Sequence, residues 1–258
     1  MSQRVENARA YVIGAEIPEP RGARGAGDNA DVMAALETTK QQAAVVASEV
    51  VAFAPGVSGT FRQDLVNSTL LAQLVAKQKV PDSRQIFDWY DAYFDALANI
   101  GWSVAARDFA IWNQQGQDLD VHKAIIAVLA TVLGPAVTAL AIVTSTLDAL
   151  QSMEPDSPWI TLFSRESQHA EQAHFQVTAV SVGDDGQPFV TLAAFSVQAN
   201  ATTTQVLFFR WRASNAVLRH CSSKVSIDEG VAAAIRGPLR DKVAAHAADF
   251  IKALPDLV

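Results

Sequence analysis

AIIAVLATVLGPAVTALAIVTSTL, Ala124 to Leu147, runs for 24 residues without a charged side chain. A helix needs about 20 apolar residues to cross the hydrocarbon layer of a bilayer, so the length alone raises the question of a membrane. Eleven of these residues are Ile, Val or Leu, worth roughly −3 to −7 kcal/mol of insertion free energy at the bilayer centre. Gly134, Pro135, four Thr and one Ser oppose that gain. No Trp or Tyr lies within the run to anchor its ends, and Lys123 is the one nearby cation. Proline inside a helix costs about 3 kcal/mol. Two helices, one ending near Leu133 and one beginning at Pro135, avoid that cost, and each is too short to span. The segment therefore reads as a buried helix or helix pair at the core, as a conditionally inserting amphitropic or toxin-like helix, or, with the weakest support, as a permanent transmembrane span.

Composition sets the frame for this choice. Half of the 258 residues are hydrophobic and 18% are charged, below the usual quarter. The deficit implies extensive burial, self-association or lipid contact. Residues 1–150 hold 11 Lys/Arg against 16 Asp/Glu, and residues 151–258 hold 9 against 11. Neither half is basic, so no nucleic-acid footprint is expected. The single Cys221 excludes an internal disulfide framework and a multi-cysteine zinc site. The start, MSQRVENARAYVIG, lacks the apolar core of a Sec signal. The expected location is cytoplasmic by default, or reached by a route without such a signal, with membrane association compatible with either.

Outward from the uncharged run, residues 1–29 read as a flexible arm, on the strength of IPEPRGARGAGDN from Ile17 to Asn29. Asp31 is positioned to cap a helix to Phe53, apolar on more than one side in its second half, AAVVASEVVAFA. A second helix follows Gly59 and ends before Pro81. A third starts at Asp82 or Ser83, with Ile86, Tyr90, Phe94 and Leu97 on one stripe, and ends at Gly101. Trp89 and Tyr93 flank that stripe, as core packing or as a sugar- or lipid-facing surface. Residues 102–112 read as a strand.

The character then turns β-rich. Residues 174–182, 189–198, 206–212 and 217–227 suggest a four-stranded antiparallel meander, with Asp185-Gly186 as a hairpin signal. Asp228 caps a C-terminal helical segment that Gly237-Pro238 divides, with Val243, Phe250 and Ile251 on its apolar side. The fold class is α+β: N-terminal helices and a central hydrophobic helix or helix pair packed on the meander, with a C-terminal helix. Residues 30–258 form one domain in this reading, with a helical part at 30–152 and the meander plus final helix at 158–254.

Motifs for chemistry each miss a required residue. Gly56-Val57-Ser58-Gly59-Thr60 has Thr where the nucleophile elbow needs Gly, and a helix rather than a strand is expected before it. His169 and His174 are five apart, and zinc helices use four. Asp118 and Asp120 lack the glycine and the twelfth-position Glu of a calcium loop, and serve better as a helix cap. No cofactor, metal, hydrolytic or redox activity is expected. On a regular strand Cys221 shares its face with Val217, Val225 and Ile227, and His220 points away. The thiol is a small buried hydrophobe, a site of S-acylation, or a nucleophile paired with a distant His.

Arg210 and Arg212 fall on one strand face, as solvated residues or as a headgroup contact. Helices, a meander and a last helix with one strand-borne cysteine resemble a bacterial insect-gut virulence factor that carries an acylated cysteine. That likeness rests on Cys221 and implies S-acylation there, without a wider transfer of function.

The functional expectation is a non-enzymatic protein that binds lipid or associates reversibly with membranes. Its contact residues would be Ile125, Val128, Leu129, Val132, Leu133, Val137, Leu140, Ile142 and Val143. The alternative is a soluble binding or homo-oligomeric protein with 124–147 as a buried core pair. Gly134-Pro135 divides the two: a break there favours the alternative.

Overall fold

The computed structural model describes residues 2–20, 34–36, 40–112, 119–133, 137–169, 172–183, 185–198, 210–211 and 217–254. Among them are seven helices: α1 (Gln3–Gly14), α2 (Gly59–Lys79), α3 (Ile86–Asn99), α4 (Val121–Leu133), α5 (Val137–Ser152), α6 (Pro158–Ser167) and α7 (Glu229–Phe250). The strands of the main sheet are β1 (Gln42–Val46), β2 (Glu49–Phe53), β3 (Trp102–Val104), β4 (Ala110–Ile111), β6 (Gln168–His169), β7 (Gln172–Val182), β8 (Pro188–Gln198), β10 (Val217–Ile227) and β11 (Ile251–Ala253). Two others, β5 (Leu119–Asp120) and β9 (Arg210–Trp211), form a separate ladder.

The class is mixed α and β, but the sheet is larger than a four-stranded meander and is not wholly antiparallel. Its order is β11-β1-β2-β7-β8-β10-β3, with β4 added to β10 and β6 to β7. Strands β7, β8 and β10 do form an antiparallel meander, in the register Gln176↔Ala194↔Cys221. Beside it β2 runs parallel to β7, with Val51 opposite Thr178. The strand expected at 206–212 is described only at Arg210–Trp211, where it pairs with Leu119–Asp120 outside the main sheet.

The extra strands come from the segment read as a helix to Phe53. Residues 42–53 form the β1–β2 hairpin, with Val46 opposite Glu49 and every residue of both strands buried. Apolar side chains on both sides mark a strand covered on both faces, and the Val-Val pairs favour extended backbone. Ala47, in the turn, has φ +51°, an uncommon conformation for a residue with a Cβ. Three buried hydrogen bonds hold the turn there: Ala47 N–H to the Phe250 carbonyl (2.7 Å), Ser48 N–H to Gln73 Oε1 (3.0 Å) and Gln176 N–H to the Ser48 carbonyl (3.1 Å).

Helices cover both faces. One face carries Ala44, Val51, Phe53, Leu192, Ala194 and Cys221 under α1, α2, α3 and α7. The other carries Val45, Val50, Phe175, Val177 and Phe195 under α4, α5 and α6. Helices α2 and α3 lie close to their expected positions. Ser58 caps α2 by accepting from Phe61 N–H at 3.3 Å, and Ile86, Tyr90, Phe94 and Leu97 are all buried. Trp89 and Tyr93 are buried with them, which is core packing and not an exposed aromatic surface. Gly101 ends the turn after α3 with φ +93°, and a Cβ there would meet Val231 Cγ1 at 2.9 Å.

Two further expectations change. The first part of the supposed arm, residues 3–14, is α1, which packs on α7 with Ala8 and Val12 buried. Gly237-Pro238 does not divide the C-terminal segment: α7 is continuous from Glu229 to Phe250 with Pro238 inside it. Val231, Ile235, Leu239 and Val243 are all buried at i, i+4 spacing, so one apolar stripe runs through the proline and outweighs the local cost. Asp228 caps the helix as expected, accepting from Val231 N–H at 3.1 Å. Ile251 belongs to β11, paired with Val46.

Candidate functional site

The uncharged segment falls on two helices, α4 and α5, on either side of residues 134–136, which lie outside the described residues. Ile125, Val128, Leu129, Leu133, Ile142 and Val143 are buried against the sheet face that carries Phe175 and Phe195. Helix α4 lies against β8 and β10, and α5 against β2 and β7. Val132 and Leu140 are half-buried, and the Val137 side chain lies outside the described residues. No helix among the described residues is long and apolar enough to cross a membrane. The outward positions include Ile126, Thr131, Val132, Leu140 and Ala141, none of them charged. The pair is therefore a core layer whose exposed charges, Lys123 and Asp148, lie at the two limits of the uncharged segment.

Cys221 lies on β10 on the opposite face of the sheet, buried, with its Sγ donating to the Ala106 carbonyl at 3.0 Å. Ser223 Oγ accepts from the N–H groups of Ala105 and Ala106 at 3.1 and 3.3 Å, fastening that segment over the thiol. Burial first, then the charge of Asp108, push the thiol up to about 11, against a smaller opposing effect of Arg107. His220 turns to the other face and meets Trp112. A thiol in this state is protonated, covered and unreactive, and an acyl chain there would require residues 105–106 to part from β10. We expect a maleimide or disulfide reagent to label Cys221 in the native protein at least ~100-fold more slowly than in the unfolded chain. Equal rates would show that the covering segment does not protect it.

The remaining candidates come apart. Arg210 pairs with Asp120 in the β5–β9 ladder; the side chains of both, and all of Asp118 and Arg212, lie outside the described residues. Ser58 does follow a strand, contrary to expectation, but its φ of −64° is ordinary extended backbone and its oxygen caps α2. Among the described residues no three His, Cys, Asp or Glu side chains are grouped to hold a metal ion.

What motif reading missed is a polar network buried between the sheet and α2–α3. Glu49 on β2 is fully buried. Its Oε1 accepts from Thr178 Oγ1 at 2.6 Å, and its Oε2 from Tyr93 Oη at 3.3 Å and Gln73 Nε2 at 3.4 Å. Desolvation raises its pKa to about 7, against the lowering effect of these hydrogen bonds. Gln176 donates to Tyr90 Oη at 3.1 Å, and Ser48 Oγ bridges Gln73 and Gln176. The network reaches a cavity: Ser48 and Gln73 line a space of about 80 Å³, with Lys77, Trp89, His169 and His174 in its wall.

No family model matches the chain, and no curated protein matches it in sequence. Two solved structures resemble it in outline. One is a delta-endotoxin, at TM-score 0.32 and 12% identity over 71% of this chain and 85% of that one. The other is the Evf virulence factor, at TM-score 0.34 and 9% identity over 84% of this chain and 90% of that one. At these scores the likeness carries no inference about chemistry or role.

Proposed function

We propose that this chain is a non-enzymatic protein with a toxin- or virulence-factor-like role that associates reversibly with lipid through the α4–α5 layer. One observation carries the reading: from Ala124 to Leu147 neither helix holds a charge, so between Lys123 near the start of α4 and Asp148 on α5, both exposed, the outer surface of the layer presents no ionic group. Each large aliphatic on the inner face is worth about 1.5–3 kcal/mol of burial. Displacing the pair into water is thus prohibitive, whereas a hydrocarbon phase returns the same energy. In water the pair stays on the sheet, and lipid is the medium that offers an alternative.

A second reading has its own support. The inner faces of α4 and α5 are buried against the sheet, which supports a core helix pair, and copies of such a protein would associate across the outer surface between Lys123 and Asp148. Flotation with liposomes at neutral and acidic pH, beside a light-scattering mass, separates the two. We expect the protein to float, and Leu140→Asp together with Ile126→Asp to reduce the floated fraction at least ~10-fold without unfolding it, because an aspartate in hydrocarbon costs about 2.5–3.5 kcal/mol. No flotation at either pH with a discrete oligomer mass would sink the lipid reading and leave self-assembly.

A further inference from the structure

We propose that α4 and α5 form a helical hairpin that enters a single leaflet of a bilayer by its charge-free end, an assignment that rests on the lipid reading above and adds its direction and depth. Three residues separate the two helices in sequence, a connection of the length that turns one helix back along another. The helices pack on each other. His122 Nε2, in the first turn of α4, lies 3.4 Å from Asp148 Oδ1, towards the end of α5. The start of α4 and the end of α5 are therefore neighbours, and Leu133 and Val137 belong to the opposite end of the pair.

That arrangement gathers the charges at one end. Lys123 and Asp148, both exposed, lie beside His122, and the exposed Glu154 and Asp156 follow α5 beyond them. Away from that end each arm is free of charge to its far limit, over residues 124–133 on α4 and 137–147 on α5. At 1.5 Å per residue each arm is about 15–16 Å long. Half of a hydrocarbon core roughly 30 Å thick is about 15 Å. Neither helix is long enough to cross, but each arm matches one leaflet.

Three hydroxyls within the arms are tied to their own helix and need no water. Thr131 Oγ1 donates to the Ala127 carbonyl at 3.0 Å, and Ser145 Oγ and Thr146 Oγ1 donate to the Ile142 carbonyl at 3.0 and 2.8 Å. In water the inner faces rest on the sheet through Ile125, Leu129, Ile142 and Val143, and Gln41 Nε2 donates to Ser145 Oγ at 3.2 Å. Entry exchanges the apolar contacts for acyl chains and gives up that hydrogen bond. His122, Lys123 and Asp148 stay at headgroup level, where ionic groups keep their water.

A polarity-sensitive dye on cysteines introduced into the full-length protein reads the direction. The positions are exposed: Thr131→Cys and Ala141→Cys far along the arms, and Gln151→Cys at the charged end. The buried Cys221 stays in place, and the unaltered protein serves as the labelling blank. Phosphatidylcholine vesicles carry a spin label deep on the acyl chain, and iodide quenches from the aqueous side. In floated protein we expect the dyes at 131 and 141 to be quenched by the spin label and shielded at least ~10-fold from iodide, an ion that hydrocarbon excludes. The dye at 151 should stay open to iodide. Thr131→Lys should lower the floated fraction at least ~10-fold, and Gln151→Lys by less than about 2-fold, because the penalty for a charge grows with depth. Floated protein in which the three dyes lie at one depth, or in which the two lysines act alike, overturns entry by the charge-free end and leaves lipid association standing. Protein that floats in no form overturns both.

Discussion

Replacing Arg62 by methionine is expected to cost about 3–5 kcal/mol of folding stability, a large share of the roughly 5–15 kcal/mol that holds a domain folded. Arg62 lies in the first turn of α2 and is fully buried. Its Nε donates to the Val57 carbonyl at 3.0 Å, Nη1 to Gln42 Oε1 at 3.2 Å, and Nη2 to the carbonyls of Lys40 and Ala54 at 2.6 and 3.2 Å. The guanidinium also lies 5.0 Å from the centre of the Phe53 ring. One side chain thereby ties the entry to β1 and the exit from β2 to the helix that covers them. Methionine fills the volume but strands these acceptors away from water. Lysine restores the charge without the planar fork that reaches several acceptors at once, so Arg62→Lys should recover less than half of the loss. Urea unfolding of the three proteins measures this. A loss below about 1 kcal/mol for Arg62→Met would show that the contacts form without contributing to stability.

How legible these features were depended on the range over which each is determined. The α3 stripe of Ile86, Tyr90, Phe94 and Leu97 repeats within one helix, and Asp228 caps the residue three places on; both are local patterns, and both are found in the structure. The β1–β2 hairpin was hidden because burial on both faces erases alternation. QAAVV and EVVAF then look as apolar all round as a buried helix, and only the Val pairs argue for a strand. Pro238 was misjudged because its local penalty is visible in sequence whereas the shared burial of Val231 and Leu239 on either side is not.

The uncharged segment was legible as far as its chemistry decides. Gly134-Pro135 pointed to two short helices; residues 121–133 and 137–152 are helical, and the pair itself lies outside the described residues. The polar network was out of reach for a different reason. Gln73, Tyr93 and Thr178 are 24, 44 and 129 positions from Glu49 along the chain, and no spacing rule connects them. The one available signal was a lone acidic residue, Glu49, inside an otherwise apolar run.

That residue makes the second large effect a matter of pH. Glu49 titrates at about 7 in the folded protein, against an ordinary value of 4.5. The folded state therefore holds a proton that the unfolded chain releases. The contribution of Glu49 is fully present below about pH 4.5 and is lost as the pH rises through 7, a change on the order of 3 kcal/mol. His174 acts in the opposite direction: burial lowers it from 6.5 to about 3, so its contribution is present above 6.5 and declines as the pH falls. The two oppose each other in the unaltered protein and partly conceal one another, so the diagnostic quantity is the difference made by Glu49→Gln. A neutral amide keeps the shape and an acceptor for Thr178 but has no proton to lose. Unfolding free energies of both proteins at pH 4.5, 6 and 8 should therefore diverge. The glutamine variant should be equal or weaker at pH 4.5 and gain on the unaltered protein by about 2–3 kcal/mol by pH 8. The stability of the variant should itself rise with pH up to about 6.5 and then level off, as His174 requires. Parallel curves for the two proteins would mean that Glu49 does not titrate in this interval, and that its carboxylate is solvated or paired in a way the buried hydrogen bonds do not provide.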